Sequence, residues 1–288
     1  MFQKRLLIAG ASGALGREVV LQARKQGHRL SLLGRSRSRL EAIACPGDKL
    51  IVADALKPAD LESACQDIDC LISCLGAPVG MQSSEKRSFL KVDLPANLNL
   101  IAEAQKSKIE RVIYVSLWVE DGYRQNPYVQ AHLKVEDALR ASELNYTLVQ
   151  PTGLFCAMLE FLKMAQSGTG IVPGKGVALS NPVHEADVAK LITSLISGGP
   201  ESVGIGGPDT LTRKEIFELA FEAINKRPKL MHMPVGMLNV MASLLHPFDA
   251  RSSEIMQFFA LVASCDVQAP TLGSSHLKDY YHDFFAKG

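Results

Sequence analysis

Gly10-Ala-Ser-Gly13-Ala-Leu-Gly16 follows the apolar run RLLIA and opens ALGREVVLQARKQG, whose apolar residues recur at helical spacing. Few short patterns restrict a chain more. A strand that turns into a helix over three spaced glycines leaves the helix N-terminus bare, with free N–H groups and the positive end of its dipole. Glycine also lets backbone approach whatever sits there. A pyrophosphate is the ligand such a turn fits, provided that strands and helices continue to alternate around it.

They do alternate. RLLIAG is followed by its helix, LSLLG by SRLEAI, KLIVAD by ADLESACQ and DCLISCLG by LPANLNLIAEAQK; RVIYVS, a helix from Pro127 and NYTLVQ complete the series. Such alternation predicts an α/β fold with a doubly wound parallel sheet covered on both faces, filling residues 1–150. From PTGLF onward the rhythm changes. Residues 151–288 read as segments of a small, mostly helical C-terminal lobe interleaved with the end of that core. Such a lobe is expected over the carboxyl ends of the strands, where open α/β sheets bind ligands. Its methionines, including Met231, Met233, Met237, Met241 and Met256, suit both lobe packing and the wall of an apolar pocket.

Composition narrows the partners. With 288 residues, 47% hydrophobic, 21% charged and a net charge of +1, the chain has no basic footprint for nucleic acid, and a small molecule is the expected partner. No run approaches the ~20 apolar residues of a spanning helix, so no membrane partner is expected. The N-terminal MFQKRLLIAG is too short for a signal peptide, and the six cysteines show no paired spacing, which together predict a cytoplasmic protein. The seven histidines are scattered, so no metal is expected. Oligomeric state stays open.

Cofactor preference is read at the end of the second strand, where a carboxylate would accept from a ribose hydroxyl and an arginine would clamp a 2′-phosphate. Here the residues are Gly34-Arg35-Ser36-Arg37-Ser38-Arg39, with no carboxylate, and the expected cofactor is NADP(H). Asp54 in IVADA is either an acceptor for the adenine amino group or a turn residue. Leu75-Gly76-Ala77, after the fourth strand, would pass beneath the nucleotide.

In PYVQAHLKVEDAL, helical geometry sets Tyr128 about 40° from His132 and roughly 120° from Lys134. His132 therefore shares the Tyr128 stripe, and Lys134 faces water. An unperturbed histidine is mostly neutral at pH 7 unless a neighbour such as Glu136 favours its cation.

These features resemble the short-chain dehydrogenase/reductase superfamily, specifically its atypical NmrA-like branch, with GxxGxxG, a Tyr-x-x-x-Lys helix and a strand ending near Pro-Thr-Gly. NPVHEADVA and GGPDTLTRKEIFELAF extend the likeness, and QAPTLGSSHLKDYYHDF resembles the C-terminus of divinyl-reductase-like members. The resemblance implies a Rossmann-like core and an NADP(H)-dependent reductase moving hydride to an apolar carbonyl or conjugated double bond. It also implies two alternatives, a nucleotide-binding regulator and an isomerase using the nucleotide transiently.

Carried over by position, Tyr128 is the proton donor, His132 replaces the lysine beside the nicotinamide ribose, and Ser116, followed by Leu117 and Trp118, is the catalytic-serine candidate. The nucleotide would lie along Gly10, Ser12, Gly13, Ala14, Leu15 and Gly16, then Arg35, Ser36, Asp54 and Ala55. Leu75, Gly76, His132, Pro151, Thr152 and Gly153 complete its expected path. A lysine ammonium lowers a tyrosine pKa by its fixed charge, so its replacement predicts weaker phenol activation.

Overall fold

The computed structural model describes residues 3–76 and 85–287. Ala77 therefore lies outside the described residues. In chain order the elements are β1 (Arg5–Ala9), α1 (Ala14–Lys25), β2 (Arg29–Gly34), α2 (Arg37–Glu41), β3 (Lys49–Val52), β4 (Cys70–Ser73), α3 (Phe89–Lys106), β5 (Arg111–Val115), α4 (Pro127–Arg140) and β6 (Tyr146–Pro151). They continue with α5 (Phe155–Gln166), β7 (Gly170–Pro173), β8 (Leu179–Ser180), α6 (Glu185–Ser194), β9 (Ser202–Ile205), β10 (Leu211–Thr212), α7 (Arg213–Ala223), β11 (Leu230–Met233), α8 (Val235–Leu245), α9 (Ala250–Val262) and α10 (Leu277–Lys287).

Seven strands form one parallel sheet in the order β3-β2-β1-β4-β5-β6-β9. The order reverses between β1 and β4, and a crevice opens there at the carboxyl ends of the strands. Side chains alternate across the sheet. Leu6 and Ile8 pack with Val19 and Val188 on one side, while Leu7 and Ala9 pack with Leu100 and Leu139 on the other. Helices on both faces explain why β1, β2 and β5 are apolar nearly throughout. Thus α1 and α6 cover one face, and α3 and α4 the other.

Residues beyond 150 return to this core, since β9 pairs with β6 and α6 packs on α1. The rest of that segment builds a separate apolar cluster from α5, α7 and α10, centred on Phe155, Leu162, Ile216, Phe221 and Tyr281.

One local expectation needs correction. ADLESACQ forms only a short 3-10 turn, Pro58–Leu61, because Ser63 at φ 61° and Asp67 at φ 60° take the chain out of a right-handed helical path. In the C-terminal half, Gly170–Pro173 pairs in parallel with β11.

Candidate functional site

The glycine turn separates into two structural glycines and one with room beside it. Gly10 has φ 77°, and a Cβ there would stand 2.7 Å from the Cys74 carbonyl oxygen; a Cβ on Gly16 would overlap the Gly10 carbonyl oxygen. Close packing of the turn on β4 and α1 requires both. A Cβ on Gly13 would meet only the Gly10 carbonyl oxygen, at 3.3 Å. Gly13 is also the N-cap of α1, which has no side-chain cap and no acidic residue in its first turn. The first amides of α1 consequently lack the partner most helices provide.

From this turn a cleft of about 320 Å³ runs toward β2 and β3, lined by Gly10, Ser12, Gly13, Arg35, Ser36, Asp54, Ala55, Leu75 and Gly76. Arg35 and Arg39 are exposed there, with no ion pair to either among the described residues. Two unpaired guanidinium groups at the end of a nucleotide-sized cleft suit a phosphate. Ser36 accepts from the Arg39 amide as the cap of α2. Asp54 Oδ1 accepts from the Leu56 amide at 3.2 Å, so the turn role is present even though the residue also lines the cleft.

A second cavity, about 470 Å³, joins the first at Gly13, Cys74, Leu75 and Gly76. Ala14, Leu15, Gly16, Ser116, Tyr128, His132, Pro151, Thr152 and Gly153 line it, so the sequence-expected residues gather around two connected spaces. Its far wall is apolar, from Leu117, Trp118, Met158, Phe161, Phe258 and Val262. The lobe contributes most of that wall.

The helical register holds, with Lys134 exposed, His132 buried and the Tyr128 and His132 rings edge to face at 5.1 Å. Sequence reasoning missed the partner that decides the state of His132. The Tyr114 hydroxyl lies 2.7 Å from His132 Nδ1. Burial pushes the Tyr114 phenol well above its usual range, so it keeps its proton, and donating it to Nδ1 satisfies both groups. The imidazole proton then resides on Nε2. Burial, opposed by the nearby Asp93 and Glu136 charges, pushes His132 down to about 4. The imidazole is neutral at pH 7.

Burial likewise raises the Tyr128 phenol, so that hydroxyl remains protonated. Glu136 does not convert His132 to a cation, because its carboxylate accepts from Ser116 Oγ at 2.7 Å, Gln150 Nε2 at 3.0 Å and Arg140 at 2.7 Å. The Ser116 hydroxyl proton is thereby directed at Glu136, and the Thr152 hydroxyl donates to the Asn181 carbonyl. Asn97, also missed, accepts from Ser73 and donates to the Leu75 carbonyl, fixing the strand end beneath the cleft. Only the helical periodicity of α3 hinted that it faced inward. Among the described residues no cluster suits a metal ion, and no helix is long and apolar enough to cross a membrane.

A family model described as NAD(P)H-binding matches residues 10–198. Photosystem II assembly factor Ycf39 of Synechocystis is 24% identical over 266 residues, 90% of this chain and 80% of that protein. Chloroplastic divinyl chlorophyllide a 8-vinyl-reductase of Zea mays is 25% identical over 264 residues, covering 83% of this chain but 64% of the relative. Among solved structures, Escherichia coli NADPH-dependent quinone oxidoreductase QOR2 complexed with NADPH has the same fold, with a TM-score of 0.75 at 17% identity over 97% of this chain and 99% of that one. Since the family match runs from the glycine turn through α6, well over half of the chain, the protein belongs to the NAD(P)H-binding family, an oxidoreductase-like group of atypical short-chain dehydrogenase/reductases with a Rossmann-type fold.

Proposed function

We propose that the protein is an NADPH-dependent reductase acting on a carbonyl or conjugated double bond of an apolar small molecule. The observation that carries this reading is the continuity of the two spaces, in which a cleft ending at Arg35 and Arg39 opens into an apolar cavity with a protonated phenol on its wall. The bare N-terminus of α1 would take the pyrophosphate, and Arg35 with Arg39 the 2′-phosphate. Bound there, the nicotinamide nucleotide supplies a hydride.

The chain's own groups orient and protonate. His132 would offer its Nε2–H to the nicotinamide ribose, and Tyr128 would donate to the substrate atom on which negative charge develops. A phenol with a raised pKa ionises reluctantly, so Tyr128 works first as a hydrogen-bond donor. Trp118 and Phe258 would keep water out. The names of the Zea mays reductase and the Escherichia coli oxidoreductase support an acceptor with conjugated unsaturation. The cysteines that are free in the structure accord with a cytoplasmic setting.

A second reading has its own observation: His132, neutral and held by Tyr114, puts no positive charge in the place of the lysine, as a nucleotide-binding protein with little turnover would allow. Oxidation of NADPH in the presence of apolar quinones, enones and ketones separates the readings. Turnover that falls about a hundredfold in Tyr128→Phe, with KM little changed, is expected. Tight NADPH binding without oxidation by any acceptor would favour the second reading, and product formation without net NADPH loss would indicate isomerisation.

A further inference from the structure

α8 is built inside out for a helix at a protein surface. It carries no charged residue, and its outward stripe is apolar: Met237, Val240, Met241 and Leu244 are exposed, and Phe248 just beyond the helix is 80% exposed. Their spacing of three, one, three and four residues keeps them on one face. The opposite side, Leu238 and Ala242, is buried, so the hairpin of α8 and α9 is already docked and the outward stripe remains spare. Met231, just before α8 in the chain, and Ile171, paired with it across β11 and β7, are exposed apolar residues as well.

Charge says what this surface suits. The two stretches that carry these exposed residues, 161–184 and 223–248, contain no aspartate or glutamate, although the chain as a whole is nearly neutral. Lys175, Lys226, Arg227 and Lys229 are exposed in them, and Lys175, Arg227 and Lys229 have no ion-pair partner among the described residues. An isologous dimer through this face would set the basic groups of two copies against each other. An anionic bilayer surface pairs with both parts at once, headgroups with the basic shoulder and acyl chains with the stripe.

We propose that the α8 face docks this protein onto the surface of a membrane containing anionic lipid. The lack of a spanning-length helix has no bearing on this, because a surface-lying helix needs only one apolar face. The inference stands apart from the reductase reading, since neither the exposed stripe from Met237 to Phe248 nor Lys175, Lys226, Arg227 and Lys229 line the cleft or the cavity.

Co-sedimentation of the full chain with phosphatidylcholine vesicles, with and without phosphatidylglycerol, tests it. Binding is expected to the anionic vesicles and to weaken at high salt. Leu244→Asp and Phe248→Asp should each weaken binding by about tenfold or more, and Lys226→Glu, Arg227→Glu and Lys229→Glu by about fivefold per residue. Circular dichroism and NADPH affinity should be unchanged in all five. No binding to either vesicle, undiminished binding by folded Leu244→Asp, or a dimer in light scattering that Leu244→Asp dissociates would overturn the proposal; the last would make a second copy the occupant.

Discussion

The nucleotide end of the site and its chemical end treat their polar groups in opposite ways. Around Gly13 and Arg35 the chain leaves groups unmet among the described residues: a helix without a side-chain cap, a glycine with room beside it and two arginines without carboxylates. Around His132 the groups largely meet one another, with Tyr114 on His132 and Ser116, Gln150 and Arg140 all on Glu136. The contrast teaches that affinity for a charged ligand is built by withholding internal partners, whereas a buried wall must be satisfied to be stable. It also locates the loss of the lysine. A neutral histidine fits a buried, hydrogen-bonded wall at lower desolvation cost than an ammonium would.

The largest expected effect separates the glycines of the open end. Gly16→Val should cost about 3 kcal/mol or more in denaturant melts, because the new side chain overlaps the Gly10 carbonyl. Gly13→Val should stay folded yet lose NADPH affinity by roughly a hundredfold in calorimetry, since its side chain would fill the space over the α1 amides. If both variants fold and bind normally, the open end is not the nucleotide site.

The buried end should announce itself in acid. The ordinary histidine value is 6.5 and that of His132 in the folded chain about 4. Between those values the unfolded chain binds a proton that the folded chain refuses, so stability contributed by a neutral His132 is complete above pH 6.5 and is lost as pH falls toward 4. The loss is about 3 kcal/mol. His132→Gln should flatten that part of the stability profile relative to the parent. An identical slope in the two proteins would mean that His132 titrates in the folded state as it does in water.

At the open end again, Arg35→Glu should weaken NADPH by about tenfold to a hundredfold while leaving NADH nearly untouched, because only the former carries the 2′-phosphate. Equal losses would make Arg35 an ordinary surface charge. The smallest effect belongs to Lys134→Ala, which should alter stability by no more than about 0.5 kcal/mol and leave NADPH affinity unchanged, its side chain being exposed. A large loss there would undo the assignment of Tyr128 and His132 to the cavity wall.

What was legible in the sequence was whatever short-range geometry dictates. The strand, glycine turn and helix at residues 5–25 could be read because tight turns demand glycine and helices repeat every 3.6 residues, and the same periodicity put His132 rather than Lys134 beside Tyr128. Basic residues at 35–39 could be read because no carboxylate stands among them in the chain. Tertiary structure decided the rest. Tyr114 sits on a strand and His132 on a helix 18 residues later, and no periodicity connects their side chains. The return of Ser202–Ile205 to the sheet and the closure of the cavity by Phe258 and Val262 likewise depend on contacts between distant segments. The ionisation of Tyr128 and His132 follows from burial, a property of everything packed around a group, so the residue types determined which protons could move and only the assembled fold decided which ones are held.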